Sequence, residues 1–426
     1  MLIEAVLDNG RCVLKRIPEI GKGSFHSPDP RIMDLKAIAE SMFSLELLLH
    51  DNNPAVKIKI PTYVSNSARL ASILSELYEF LFSKSIDIEF VKNPQKLFSN
   101  KNVELKDGYT CLFSGGMDSV NGILTSFAHF GKKTEGCFTN HPDLKTEPLV
   151  RKLERKYLSK NHIKIFHIDS QRHHRNLQKT RGFLYILNAS SLQNRNIIVP
   201  ECGVTMYQPQ FTLLDNVTMT THPEVLSHST MLLEEVLGEK INLCTPNENL
   251  TKAEIASTCP DKSALLDSCS CQGTTSFCTS GEPHCGSCYA CVIRRIGMIV
   301  AGLNENSGYR NDVLLKPNPS SVQMDNVTAI AEFSAQYLRD PAKIRWYTKR
   351  IIEKYNKGEL FRRFAEDFFA ALYILRKDGK LSSRFLNKRL DDANSFIAAE
   401  ALQSRIEEVR SAEHKPIFQS VESQRV

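Results

Sequence analysis

Two clusters of residues in this chain carry chemistry in their types and spacing. The first is Ser114-Gly115-Gly116-Met117-Asp118-Ser119. It follows the apolar run Tyr109 to Phe113 and precedes Val120, Ile123, Leu124 and Phe127 at helical spacing. The pattern predicts a strand that turns through glycines straight into a helix. Such a turn gathers backbone N–H groups at the positive end of a helix dipole, so it is built to hold an anion. Glycine suits it because glycine takes positive φ and lets a phosphate approach the backbone closely. The second cluster is Cys285-Gly-Ser-Cys288-Tyr-Ala-Cys291, three thiols at C-x2-C-x2-C spacing. Zinc takes four ligands in a tetrahedron, and two such steps deliver three of them. Cys269, Cys271 and Cys278 compete for the fourth position, with His284 as an outsider. An iron–sulfur cluster is the chemical alternative. Four protein ligands leave no open position for water, so a structural ion is expected.

The elements that must position these clusters follow from periodicity. From about 106 to 319 the chain alternates strand and helix, the signature of an α/β fold with a doubly wound parallel sheet. Strands are expected at Tyr109–Phe113, Thr134–Thr139, Ile163–Ile168, Ile197–Val199 and Ile241–Cys244, with helices at Thr146–Ser159, Gly182–Leu192, Glu224–Leu237 and Lys252–Ser257. Ligands of such sheets sit beyond the carboxyl ends of the strands, where Ser114 to Ser119 falls.

Residues 1–105 read as an α+β accessory region. Strand-like runs fall at Met1–Leu7, Val56–Ile60 and Ile86–Val91, and a helix spans Ser67–Phe82. The polar stretch 93–107 reads as a linker. Residues 320–426 read as a helical region, with amphipathic patterns at Ile344–Lys357, Leu360–Leu375 and Asn394–Val409. There the Phe361, Phe364, Phe368, Leu372 stripe reads as core. Arg345, Lys349, Arg350, Arg362 and Arg363 read as a solvated face rather than a nucleic-acid surface.

The 426 residues suffice for two or three cores, and 42% apolar with 24% charged residues is ordinary for a globular protein. Met1 to Asn9 lacks a basic segment followed by an apolar one, so no signal peptide is expected, and apolar runs such as Ile296–Leu303 are too short to span a bilayer. A cytoplasmic protein is the expectation. Six of the twelve cysteines fall between Cys269 and Cys291, which in a reducing compartment reads as metal binding rather than disulfides. The net charge of +6 suits small anionic ligands and does not require nucleic acid.

Three features coincide in chain order: the Ser114–Ser119 loop, Thr245-Pro246-x5-Lys252-Ala253-Glu254, and the cysteine cluster ending Cys288-x-x-Cys291-x-x-Arg294. Together they resemble the QueC-like PP-loop ATP pyrophosphatase family, whose founding members make 7-cyano-7-deazaguanine from 7-carboxy-7-deazaguanine, ammonia and ATP. The resemblance covers residues 106 to 302. The long chain looks like the QueC-like proteins of bacterial anti-phage operons, the QatC group. The resemblance implies a PP-loop fold, with ATP and Mg2+ at Ser114, Gly115, Gly116, Met117, Asp118 and Ser119. It implies Lys252 as partner of the phosphates, and Zn2+ held by Cys285, Cys288 and Cys291, with Cys269 favoured as fourth ligand for its Ser-Cys-Ser setting. The family's Glu-Thr-Asp and Asp-Cys-Arg substrate elements have no clear copy; Glu201-Cys202-Gly203 and Thr221-His222-Pro223 stand in their place.

The implied reaction activates a carboxylate. Adenylation replaces oxide, a poor leaving group, by AMP, and an amine then forms an amide. Ser114, Asp118 and Lys252 are the catalytic candidates, with Asp118 assigned to Mg2+ or to ordering the loop. Glu201, His222 and Arg181 are candidates for the 7-deazaguanine substrate; His173 and His174 read as surface residues. The amine is the amino terminus of a partner protein or, alternatively, ammonia. Rival readings are an RNA sulfur-transfer enzyme using Cys111, Cys137 or Cys202, and a non-catalytic nucleotide-binding scaffold.

Overall fold

The computed structural model describes residues 5–8, 11–14, 29–49, 56–92, 102–140, 146–169, 179–207, 219–271, 283–304, 308–316 and 319–412. Strands β1 (Ala5–Asp8), β2 (Arg11–Leu14), β3 (Val56–Thr62) and β4 (Ile86–Lys92) form one sheet in that order; the first pair is antiparallel and the rest parallel. Helix Ala68–Phe82 joins β3 to β4. Ser67 caps it by accepting from Leu70 N, and Leu70, Ile73, Leu74, Leu77, Tyr78 and Leu81 are buried, as their spacing predicts.

Helix Pro30–Leu49 has no amphipathic stripe to announce it, because it is buried nearly all round. Ile32, Leu35, Ile38 and Met42 are inside, and so are Asp34 and Glu46. Both carboxylates accept backbone N–H groups, which offsets the cost of burying charge. Asp34 takes those of Tyr63, Val64 and Ser65. Glu46 takes those of Lys179 and Thr180, at the start of helix Arg181–Ala189.

The second sheet has five parallel strands: β5 (Lys106–Leu112), β6 (Thr134–Asn140), β7 (Ile165–Asp169), β8 (Asn194–Ile198) and β9 (Asn242–Cys244). Its order is β7-β6-β5-β8-β9. The strands after β5 build outward on one side, then the chain returns to add β8 and β9 on the other. The carboxyl ends of β5 and β8 therefore face the point where the order reverses, which is where open α/β sheets bind ligands. All five expected strands are present; β5 begins at Lys106, three residues before the apolar run, so the linker reading of its last residues is corrected.

The expected helices are found at Arg181–Ala189, Pro223–Leu237 and Lys252–Thr258. The expected helix from Thr146 is α-helical only over Glu147–Leu153; it widens to a π-helix at Glu154–Leu158 and ends in a 3-10 turn. Helix Tyr289–Val300 leads out of the cysteine cluster.

The described residues beyond 319 are mainly helical: Ser321–Arg339, Trp346–Lys354, Gly358–Lys377, Arg384–Ala393 and Ala399–Ser411. The expected Asn394–Val409 helix is broken, because Asn394 to Ala398 form a turn between the last two helices. Phe361, Phe364, Phe368 and Leu372 are buried, as expected. One hydrophobic core runs from Ile32 to Val409 and takes in side chains of all three regions. Among the described residues, no helix is long and apolar enough to cross a membrane.

Candidate functional site

The glycine turn lies at the carboxyl end of β5, as the sequence predicts. Gly115 takes φ +78°, which an L side chain adopts only with strain, and a Cβ there would also lie 3.2 Å from Val150 Cγ2. Helix Met117–Phe130 starts after Gly116 with no side-chain cap bond. The hydroxyls of the loop hold its shape. Ser119 Oγ donates to Gly116 O at 2.9 Å, Ser114 Oγ lies 3.3 Å from Ser119 Oγ, and Gly116 N donates to Ser114 Oγ at 3.3 Å. A neighbour the sequence reading missed also joins: Met117 N donates to Ser270 Oγ at 3.1 Å, and Cys269 N donates to Gly115 O at 3.0 Å. The segment before the cysteine knuckle is thus strapped onto the turn.

Three ionisable side chains meet beside it. Asp118, in the first turn of its helix, accepts from Lys252 Nζ and from Cys202 N, the latter at 3.1 Å. Lys252 Nζ also lies 3.8 Å from Glu201 Oε1. Glu201 and Cys202 follow β8, so the two carboxylates come from the strand ends that flank the reversal in strand order. Asp118 and Lys252 are buried, and Asp118 Oδ1 has no hydrogen-bond partner among the described residues. Burial, and then the negative charge of Asp118, push the Glu201 carboxyl up to about 8. The Lys252 ammonium is held above its usual range, its burial outweighed chiefly by the negative charge of Asp118. Two carboxylates face one ammonium, and Asp118, Glu201 and Cys202 offer ligand atoms within 4.8 Å of one another, so the group could hold a further cation.

Local sequence explains the position of Lys252. Asn247 Nδ2 donates to Pro200 O at 2.8 Å and Gly203 N to Asn247 O at 3.0 Å, tying the turn after Thr245-Pro246 to the loop after β8. Thr251 and Glu254 then form a reciprocal capping box around Lys252. The backbone of Lys252 presses on Gly297, where a Cβ would lie 2.7 Å from Lys252 C. From the other side, a Cβ at Gly203 would lie 2.6 Å from Leu360 Cδ2 of the C-terminal region.

The other two substrate candidates are placed differently. His222 N-caps helix Pro223–Leu237, its Nδ1 accepting from Glu224 N at 3.2 Å, and its ring lies between Phe80 and Tyr355. Burial holds it down at about 4, so the ring is neutral. Arg181 opens its helix beside Gly182, whose backbone is pressed against Thr220 O. Of the three candidates, Glu201 is the one placed against Lys252. Arg363 departs from the solvated face expected of it: its Nε lies 3.1 Å from Glu254 Oε1.

The second cluster is a tetracysteine group of Cys271, Cys285, Cys288 and Cys291, with sulfurs within 4.8 Å of one another. Tetrahedral zinc with bonds of about 2.3 Å would set its sulfurs about 3.8 Å apart. The Cys285–Cys291 pair lies at 3.9 Å, so the set fits a metal such as zinc. The backbone N–H groups of Cys285 and Cys288 point at Cys271 Sγ and Cys285 Sγ, at 3.4 and 3.3 Å, which supports thiolate charge. The expected fourth ligand is therefore corrected from Cys269 to Cys271. The Cys269 thiol instead donates to Pro283 O at 2.9 Å, on a backbone already committed to Gly115. Cys278, His173 and His174 lie outside the described residues. Compared with known proteins, the chain matches no protein-family model and no curated protein.

Proposed function

We propose that the chain is an ATP-dependent enzyme of the QueC-like type, acting in anti-phage defence. It adenylates the carboxylate of a 7-deazaguanine and passes the acyl group to an amine, the amino terminus of a partner protein. The observation that carries this reading is the meeting of Asp118, Glu201 and Lys252 at the reversal in strand order, beside a glycine turn that opens a helix. In the first step a substrate carboxylate oxygen attacks the α-phosphorus and pyrophosphate leaves. In the second the amine attacks the acyl carbon, AMP leaves with the bonding pair, and the amine gives up a proton.

The residues present fit the implied cofactors. The first-turn amides and the hydroxyls of Ser114 and Ser119 suit phosphate oxygens, the phosphates displacing the Ser270 hydroxyl from Met117 N. Asp118 Oδ1 and Glu201 suit Mg2+, which would supply charge neutralisation at the leaving phosphates. With a cation held by those carboxylates, the Lys252 ammonium would be available to the phosphates. The sulfur-transfer reading is disfavoured, since a thiol acts as nucleophile through its thiolate. Burial pushes Cys111 well above its usual range and Cys137 and Cys202 up to about 12.

The test supplies ATP, Mg2+, 7-carboxy-7-deazaguanine and either ammonium or a candidate partner protein. Sustained release of AMP and pyrophosphate is expected only when acid and amine are both present, together with a deazaguanine-sized mass gain on the partner's first residue. Released nitrile with an unmodified partner would move the assignment to the synthase reading. Absence of AMP under every condition would defeat both.

A further inference from the structure

Lys252 is held by a region that its own motif does not contain. Arg405, on helix Ala399–Ser411, is almost fully buried and forks between two elements. Its Nε donates to Asp367 Oδ1 at 2.8 Å, and its Nη2 to Glu254 Oε1 at 2.8 Å. Its Nη1 reaches Glu408 Oε2 at 2.9 Å. The other oxygen of Glu254 accepts from Thr251 N at 2.9 Å, and Thr251 Oγ1 accepts from Glu254 N at 3.4 Å. Glu254 therefore does two things at once: it closes the cap on the residue before Lys252 and receives the Arg405 guanidinium. Arg363 adds a second guanidinium to the same oxygen. Ser257 Oγ donates to Val409 O, so the far end of the Lys252 helix is tied to the same C-terminal helix.

We infer that Arg405 is a positioning residue for Lys252, so that the C-terminal helical region is part of the active centre. The inference rests on the reading that Lys252 meets the phosphates of a bound nucleotide. Arginine suits the task because its planar fork fixes two carboxylates in one geometry, which a lysine ammonium cannot do. The Lys252 helix is short and carries its own cap, yet its registry against Asp118 depends on where Glu254 is held. Gly297 leaves the backbone no slack on the opposite side.

The test is calorimetric binding of Mg2+ with a non-hydrolysable ATP analogue to four forms of the full chain: wild type, Arg405→Lys, Lys252→Met and the double variant. Arg405→Lys is expected to weaken binding roughly tenfold alone and to add nothing in the Lys252→Met background, the non-additivity of groups acting through one another. If Lys252→Met binds like wild type, the nucleotide reading of Lys252 fails. If Lys252→Met weakens binding while Arg405→Lys lowers only the melting temperature, or if the two losses add, the inference is overturned and Arg405 is a structural ion. Should Arg405→Lys fail to fold, Glu254→Gln takes its place with the same expected and overturning results. It keeps the shape of the cap and removes the charge that Arg405 grips.

Discussion

Two buried charge clusters lie on either side of the Lys252 helix, and they are built differently. On one side Arg363 and Arg405 face Glu254 and Asp367, two guanidinium groups against two carboxylates, with Glu408 at the rim. On the other Lys252 faces both Asp118 and Glu201, and one oxygen of Asp118 is left without a partner among the described residues. The first cluster matches its charges, although Asp367 Oδ2 also has no hydrogen-bond partner among the described residues. The unbalanced one is short of one positive charge, and the Glu201 carboxyl meets the shortage by holding its proton. A buried network whose charges match reads as architecture, whereas one short of a positive charge at the end of a sheet reads as a site.

The largest effect that would break this contrast is removal of the central cation on each side. Lys252→Met strands Asp118 and should cost about 3–5 kcal/mol, as breaking a buried pair from one side does. A divalent cation should restore part of that loss, because it replaces the missing charge. Arg405→Met should cost a similar amount and gain nothing from the cation, because that cluster is sealed by packing. Thermal melts with and without Mg2+ measure both, and equal rescue of the two variants would erase the distinction.

The pH dependence of stability sharpens the comparison next. Glu201 is raised by burial to about 8 and Asp367, also by burial, to about 6, from ordinary values of 4.5 and 3.8. A carboxyl raised in this way binds more protons folded than unfolded, so its contribution falls as pH rises. The Asp367 part should be spent between about 3.8 and 6, and the Glu201 part should continue to about 8. Denaturant midpoints across this range should show Glu201→Gln flattening the neutral limb and Asp367→Asn only the acid one. A neutral limb unchanged in Glu201→Gln would remove the charge shortage from the site.

The cysteine knuckle offers the smallest expected shift and a sulfur version of the same contrast. Cys271→Ser should lower zinc content measured on the purified chain. Cys269→Ser keeps a donor for Pro283 O and should retain full zinc, with a stability change within about 1 kcal/mol. Loss of zinc from Cys269→Ser but not from Cys271→Ser would reverse the ligand assignment.

What was legible in the sequence is what local chemistry dictates. The five parallel strands show as apolar runs, and the glycine turn shows because its conformation needs particular residues in consecutive order. The Thr251–Glu254 capping box fixes its helix start by the same kind of local signal. Helix Pro30–Leu49 was illegible because its buried carboxylates are satisfied by backbone groups far along the chain. Cys269 and Cys271 stand in similar sequence settings, and the difference between them lies in Pro283 and Gly115, which folding alone brings near. Ser270 and Arg405 escaped notice for the same reason. No motif marks a residue whose role is to hold another residue that acts.

Leu360 sits against Gly203, next to the loop that carries Glu201, and its helix shares one apolar interior with strands nearly 250 positions earlier in the chain. Trimming the protein to the portion its motifs mark out would strip cover from that loop and lay bare the apolar side chains that the flanks now bury. The borders visible in composition are therefore poor places to cut. Over evolutionary time this chain should tolerate insertions at its surface far better than the loss or exchange of either flank, and it should be inherited as one piece.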